Sequence, residues 1–145
     1  MKQIIYIAHP VSGDAKANAL NCCDWVKWFV ENDPTRVYIA PWVAEVLGVG
    51  DAIVNQAFYD RILDDDMTVV ARLDGIVAVG GKWSTGMRLE RAAAFALHKP
   101  VVDYTEFRTP NDLESAWKGL RCLPSAIFSD WEKAIQIVAP PWMVR

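Results

Sequence analysis

Long apolar runs are missing from this sequence, and so is an excess of positive charge. No run approaches the roughly 20 residues that cross a bilayer, so we expect a soluble protein with no membrane partner. The 15 Lys and Arg are outnumbered by 18 Asp and Glu, which gives a formal net charge of −3. Without a basic excess, binding to a nucleic-acid polymer is disfavoured, whereas a small substrate is compatible with the composition.

Cysteine and histidine are scarce, since the chain has three Cys and two His. An odd number of Cys with no secretory apolar segment before them predicts a reducing, cytoplasmic location rather than a disulfide framework. We interpret Cys22, Cys23 and Cys122 as buried thiols. Neighbouring Cys22 and Cys23 project in different directions on a helix, so no zinc or other metal site is expected.

The chain also lacks internal repeats, low-complexity segments and linkers. Its 145 residues suit one domain, 1–145, with a single sizeable core. A hydrophobic share of 52% with 23% charged residues is typical of a globular protein. The seven Trp are unusually many and indicate an interface or an aromatic binding wall, with plain core packing as the alternative for any one of them.

Short apolar runs alternate with stretches of helical periodicity, and this order predicts the elements. The predicted strands are 2–8, 36–40, 76–79 and 99–104. The predicted helices are 15–31 behind an Asp14 cap, 52–73, one from Ser84 or Thr85 through the alanine-rich run, one after Pro110 to about 119, and one from a Ser129 or Asp130 cap to about 138. Residues 43–51 carry little pattern and are predicted to be either a flap over the pocket or a surface connection.

The alternation of strands and helices predicts an α/β fold. We expect a Rossmann-like or flavodoxin-like parallel sheet of four to five strands, with helices on both faces. Ligands of such sheets bind at the carboxyl ends of the strands. The turns after the first and third predicted strands are therefore the expected walls of the pocket.

The stretch 76–96 joins a strand, a glycine turn and a helix. Its apolar run stops at Gly80 and Gly81, and Ser84 or Thr85 can cap the helix that follows. The first amides of a helix lack partners within it and carry the positive end of its dipole, so a small anionic or hydroxylated ligand can sit there. Glu90 lies about one and a half turns further and is predicted to face this pocket, with a surface position as the alternative.

An acidic patch on the predicted 52–73 helix is formed by Asp60, Asp64, Asp65 and Asp66. Successive Asp residues are poor helix formers and usually mark a solvated face. They are also a source of carboxylates for chemistry, and the residues alone leave both interpretations open.

Three pieces of the chain together resemble the nucleoside 2-deoxyribosyltransferase-like superfamily. They are Ile-Tyr-Ile-Ala-His-Pro at 5–10, Asp66, and Ser-Thr-Gly-Met-Arg-Leu-Glu at 84–90. The likeness runs in order from Ile4 to about Gly119 and is greatest to the small-domain branches, which include the deoxynucleoside 5′-monophosphate N-glycosidases. The resemblance implies an enzyme of nucleotide metabolism, a hydrolase or transferase acting on a nucleoside or nucleoside 5′-monophosphate, with no cofactor.

The resemblance also implies the catalytic residues. Glu90 would attack the anomeric carbon of the sugar, the base would leave, and water or a second base would resolve the glycosyl-enzyme ester. Asp66 would be the second carboxylate and proton donor, with Asp64 as its rival. Tyr6 aligns with an active-site tyrosine of the nucleotide-cleaving branch, and a plain core tyrosine is the competing interpretation.

Further residues are implied to hold the 5′ end of the substrate. Transferases of free nucleosides tend to carry an aspartate at the Ser84 position, whereas the phosphate-binding branch carries a serine, which favours a 5′-monophosphate here. An ordinary helix cap is the alternative for Ser84. Gly86 would hold the same end, and Ser115 would reach into the site of a neighbouring subunit, which implies a homodimer.

The turn after the first strand departs from the family pattern. His9 and Pro10 stand where relatives usually have glycine, and Ser12 replaces a basic residue that some relatives place there. His9, Ser12 and Gly13 are nevertheless candidate substrate-binding residues, with His9 either a donor to phosphate or base or a packed structural residue.

Other functions are compatible with the same sequence. Lys82 and Arg88 are further candidate cations, with a solvated position as the alternative for each. A catalytically inactive module that senses or sequesters a nucleotide is the second hypothesis for function. A structural homo-oligomer is the third.

Overall fold

A computed structural model describes residues 1–50 and 55–117, where strands alternate with helices. The strands are β1 (Gln3–Ala8), β2 (Arg36–Ile39), β3 (Gly75–Ala78) and β4 (Val101–Asp103). The helices are α1 (Ala15–Asn32), α2 (Pro41–Val49), α3 (Gln56–Arg72), α4 (Thr85–Ala96) and α5 (Pro110–Trp117). The predicted helix near 130–138 and the end of the one predicted to reach 119 lie outside the described residues.

The four strands form one parallel sheet in the order β2-β1-β3-β4. The predicted α/β fold with a parallel, Rossmann-like or flavodoxin-like sheet is thereby confirmed. Connections leave β1 and β3 toward opposite edges, so a crevice opens between the carboxyl ends of these two neighbours. In this register Tyr6 of β1 pairs with Ile39 on one side and Ile76 on the other.

The central strands are buried because helices cover both of their faces. Residues 5–8 and 75–79 are all buried, which explains why these runs are apolar without alternation. Helix α3 packs on α4, and α1 contacts α5, as right-handed crossovers on the two faces require. The α1 face adds a large aromatic contribution, since Trp25, Trp28 and Phe29 are all buried against the sheet side of the helix.

Residues 43–49, expected to belong to either a flap over the pocket or a surface connection, lie in helix α2, which the sequence did not predict. The helix begins with Pro41 at its first position, where a fixed φ and a missing N–H cost nothing. Trp42 and Val46, four residues apart, are buried and hold it against the fold. Its last residue is Val49, and Gly50, with a φ of +61°, caps its carboxyl end. Two buried residues in a helix of nine are too few for a helical hydrophobic periodicity to be recognised in the sequence.

The cysteine expectation is half right. Cys22 is buried, whereas Cys23 is exposed, because the next residue on α1 is rotated by about 100° away from the core. Cys122 lies outside the described residues. Among the helices of residues 1–50 and 55–117, none is long and apolar enough to span a membrane.

Gly80 lets the turn after β3 lie directly against the turn after β1. Its φ is +103°, and a Cβ there would stand 2.7 Å from Cδ of Pro10 and 2.8 Å from the ring of His9. Its amide donates to the carbonyl oxygen of Phe107 at 3.0 Å, which brings in the turn after β4. Only glycine adopts this φ without strain while leaving room for the ring. Three turns therefore meet at the carboxyl edge of the sheet.

Replacing Gly80 by Ala tests this close approach. We expect Gly80→Ala to lower the free energy of unfolding by about 1–3 kcal/mol. Alanine is strained at this positive φ, and its methyl group would clash with the His9 ring. Gly48→Ala on α2 is the matched control, since nothing lies within 4 Å of its Cβ position and alanine favours a helix by about 0.5–1 kcal/mol. Urea unfolding measures both, and equal stability of the two variants would contradict the account.

Candidate active site

A recess lies at the carboxyl edge of the sheet, where the turns after β1 and β3 meet α3 and α4. Its volume is about 20 Å³, which is room for about one water molecule. Among residues 1–50 and 55–117, its lining includes His9, Val11, Tyr59, Ile62, Leu63, Asp66, Ser84, Gly86, Met87 and Glu90. The recess thus stands at the crevice that the strand order creates.

A larger cleft of about 660 Å³ adjoins the recess. The cleft is lined by residues 11–16 at the start of α1, by Val46, Leu47 and Gly50 from α2, and by Tyr59. Val11 and Tyr59 line both the recess and the cleft, so the two hollows adjoin each other. The cleft has the size of an ordinary small-molecule site, whereas the recess does not. The cleft has room for a small molecule, whereas the recess has room for only a single atom or small group of one.

Glu90 projects from α4 into the recess and is only 5% exposed. Its Oε1 accepts a hydrogen bond of 2.8 Å from the hydroxyl of Tyr6, which is fully buried on β1. Its Oε2 is buried and has no hydrogen-bond partner among the described residues. The position of Glu90 inside the pocket is as predicted, and the surface alternative is wrong.

Asp66 projects from α3 into the same recess and is 4% exposed. Its Oδ1 is also buried without a partner in the described part of the chain. Asp64 is exposed, because two residues along a helix correspond to a rotation of about 200°. Of the two rivals, Asp66 is the carboxyl group that stands beside Glu90.

Burial raises the pKa of both carboxyl groups. For Glu90 it raises the pKa to about 8, with the Tyr6 hydrogen bond opposing and the charge of Asp66 adding to the shift. For Asp66 it raises the pKa to about 7, helped by the charge of Glu45 on α2 and opposed by the Tyr6 hydroxyl. Burial likewise raises the pKa of Tyr6 well above its ordinary value, with Glu90 and Asp66 adding to it.

The two carboxyl groups therefore titrate as a coupled pair near neutral pH. A pair that holds one proton offers an anion and an acid side by side, in a recess with room for only about one water molecule. Such a pair suits nucleophilic attack combined with proton donation, and strongly perturbed carboxyl groups in a recess are typical of catalytic sites.

Ser84 caps α4 and lines the recess at the same time. Its Oγ accepts a hydrogen bond of 3.2 Å from the amide of Met87, so it is an ordinary cap in this respect. A serine hydroxyl can accept and donate together, so its own hydrogen is left for a ligand. Gly86, in the first turn of α4, lines the recess beside it.

His9 lines the recess, but both of its ring nitrogens are engaged. Nδ1 lies 2.7 Å from the carbonyl oxygen of Pro10, and Nε2 lies 2.7 Å from Nδ2 of Asn21. A carbonyl oxygen only accepts and the Asn21 amide nitrogen only donates, so the ring is neutral with its hydrogen on Nδ1. Burial lowers its pKa in agreement, and its ring stacks on Trp42. The arrangement favours the packed structural interpretation over a donor to a ligand.

The remaining predicted residues lie outside the recess. Ser12 and Gly13 line the adjoining cleft, where Asp14 caps α1 by accepting from the amide of Ala17 at 3.0 Å. Ser115 is exposed on α5 and lines neither hollow. Lys82 and Arg88 are exposed as well, and they are likewise absent from both linings.

Sequence reasoning missed Tyr59 and Glu45. Tyr59 stands two helical turns before Asp66 on α3, and this spacing on one helix face was an available signal. Glu45 raises the pKa of Asp66 and has a buried Oε2 without a partner among the described residues, but it stands on the helix that the sequence did not predict. Within residues 1–50 and 55–117 no three His, Cys, Asp or Glu side chains are arranged to hold a metal ion.

No protein-family model matches the chain, and no curated protein is significantly similar to it.

The raised pKa of Glu90 makes a prediction for stability. Because the folded-state pKa of about 8 exceeds the ordinary value of 4.5, folding takes up a proton, and this contribution to stability is lost as the pH rises between these values. As the pH rises from 5 to 8, the wild type should lose unfolding free energy that Glu90→Gln keeps. The unfolding free energy of the variant should therefore rise by about 1–3 kcal/mol relative to that of the wild type. Glu31→Gln is the control, since Glu31 is exposed in its pair with Lys27. Parallel pH curves for wild type and Glu90→Gln would contradict the burial argument.

Proposed function

We propose that the protein cleaves or transfers the N-glycosidic bond of a nucleoside or nucleoside 5′-monophosphate, with Glu90 as the nucleophile. The observation that carries this proposal is the buried cluster of Tyr6, Glu90 and Asp66 at the edge of a cleft of small-molecule size. The resemblance of the same residues to the nucleoside 2-deoxyribosyltransferase-like superfamily supports it, and the chemistry needs no cofactor.

Because burial raises the pKa of Glu90 to about 8 and that of Asp66 to about 7, the single proton of the free pair rests mainly on Glu90, and it moves to Asp66 before the reaction. In the first step, Oε2 of Glu90, now ionised, attacks the anomeric carbon, C1′. Tyr6 holds the other oxygen, which leaves the unpartnered Oε2 for the new bond. The bond between C1′ and the base nitrogen breaks, its electron pair goes to the base, and protonated Asp66 supplies the proton that neutralises the base. The developing positive charge on the sugar is stabilised by the carboxylate beside it.

In the second step, the ester on Glu90 is resolved. Asp66, now ionised, takes a proton from a water molecule or from the N–H of a second base as the incoming atom bonds to C1′. The bond from C1′ to Glu90 breaks and its electron pair returns to the carboxylate. Both carboxyl groups regain their starting protonation states, so the cycle is balanced.

The 5′ end of the substrate is assigned to the start of α4. The Ser84 hydroxyl lines the recess with Gly86, and the dipole at the start of this 12-residue helix favours negative charge there. Serine at this position adds no charge to repel a phosphate, so a 5′-monophosphate is included among the substrates.

The functional unit of the proposal is a homodimer in the cytoplasm, with Ser115 of each subunit reaching the 5′ end in the other. Ser115 is exposed, as a residue must be to contact a neighbouring subunit. Sedimentation at micromolar concentration tests this part, and a species of 16.3 kDa alone would exclude the dimer.

The activity is tested by incubating the purified protein with a panel of nucleosides and their 5′-monophosphates and measuring free base. We expect release from at least one member. Glu90→Gln should lower the rate by about 10³-fold or more because the nucleophile is lost. Asp66→Asn should lower it by about 10²-fold or more because the acid is lost. Glu31→Gln, which alters an exposed carboxyl group, should retain the wild-type rate.

Two outcomes would overturn the proposal. Release of no base from any member would exclude the reaction on these substrates. Tight binding of a nucleotide in calorimetry, without base release and unchanged in Glu90→Gln, would instead identify an inactive nucleotide-binding module.

A further inference from the structure

Tyr59 stands at the boundary between the cleft and the recess. It projects from α3, is half-buried, and lines both hollows together with Val11. A ligand that occupies the cleft and presents an atom to Glu90 crosses the boundary that Tyr59 and Val11 form. The proposed reaction gives Tyr59 no role.

The hydroxyl of Tyr59 is directed at the first turn of α4. A Cβ added to Gly86 would stand 3.4 Å from this hydroxyl and 4.0 Å from Oγ of Ser84. The two hydroxyl groups thus flank the same point at the start of the helix. Within residues 1–50 and 55–117, the Tyr59 hydroxyl makes no hydrogen bond. A phenol that lines a pocket with an unused hydrogen is a ready donor to a ligand oxygen.

A second observation indicates that a ligand enters this recess. Oε2 of Glu90 and Oδ1 of Asp66 are buried without partners among the described residues, in side chains that are 5% and 4% exposed. Buried polar atoms are nearly always paired, so unpaired ones mark a place where a water molecule or a ligand atom completes the set. The carboxyl groups serve the reacting carbon in the recess, whereas Tyr59 also lines the cleft and offers a donor to the part of the ligand that stays there.

We propose that Tyr59 is a specificity-determining residue whose hydroxyl donates a hydrogen bond to the 5′ oxygen of the sugar. The inference rests on the proposed function, because it places C1′ at Glu90 and the 5′ carbon at the start of α4. The 5′ oxygen belongs either to a free hydroxyl group or to a phosphate ester, and both accept a hydrogen bond. The Tyr59 ring also forms the wall that both hollows share.

The test is a cycle of protein and substrate changes. Wild type and Tyr59→Phe are compared on a nucleoside that the wild type cleaves, on its 5′-monophosphate and on its 5′-deoxy analogue, with kcat and KM measured from base release. Tyr59→Phe keeps the ring and removes only the hydroxyl group. We expect kcat/KM to fall by about 3- to 10-fold on the substrates with a 5′ oxygen and to stay unchanged on the 5′-deoxy analogue. A loss on the monophosphate alone assigns the bond to the phosphate ester, and a loss on both assigns it to the shared oxygen.

Tyr38→Phe is the matched control, because it also removes a phenolic hydroxyl group. Tyr38 is on β2, its hydroxyl donates to Asp33 at 2.7 Å, and it lines neither hollow. Any loss of activity through stability should therefore be equal on all three substrates. An equal loss on all three for Tyr59→Phe, or no loss on any, would overturn the inference while leaving the proposed function standing.

If the wild type releases base from no substrate, the proposed function fails and binding decides the role of Tyr59. Calorimetry with adenosine 5′-monophosphate and with 5′-deoxyadenosine then compares wild type with Tyr59→Phe. A 3- to 10-fold loss of affinity confined to the monophosphate supports the bond. Equal affinities, or no binding to the wild type, overturn it.

Discussion

The hydrogen bond from Tyr6 to Glu90 is the interaction on which the site depends. It joins residues 84 positions apart, a central strand and a helix on one face of the sheet, at a distance of 2.8 Å. The bond fixes one oxygen of the carboxyl group and leaves the other unpartnered in a recess with room for about one water molecule. Burying a carboxyl group with half of its acceptors unused is unfavourable, and such an arrangement is expected where function requires it.

The fold supplies the burial that this bond requires. β1 and β3 are neighbours in the middle of a parallel sheet, so their carboxyl ends open onto one crevice, and α3 and α4 close its side. Gly80 brings the turns after β1 and β3 into contact, and His9 is locked between Pro10, Asn21 and Trp42. The packing of these turns separates the carboxyl pair from bulk water. This burial raises the pKa of both Glu90 and Asp66.

Much of this arrangement could be predicted from the sequence because it depends on local patterns. The unbroken apolar runs predicted the central strands, Asp14 predicted the start of α1, and Ser84 or Thr85 predicted the start of α4, where the structure has Ser84 as the cap. The helical spacing between the cap and Glu90 predicted that Glu90 faces the pocket. The rest required tertiary information. The phase of α3, which separates buried Asp66 from exposed Asp64, depends on packing against α4, and α2 is held by only two buried residues. Tyr59 shares a helix face with Asp66, but its position between the two hollows depends on how α3 packs against α2 and α4.

The central claim is that Glu90 forms a covalent ester with the sugar. The direct measurement is rapid acid quenching of the protein with a substrate from the panel that releases base, followed by mass spectrometry of proteolytic peptides. The account predicts a pentosyl adduct on the peptide that contains Glu90, absent from the Glu90→Gln variant. Base release with no adduct at Glu90, or with an adduct on another residue, would contradict it.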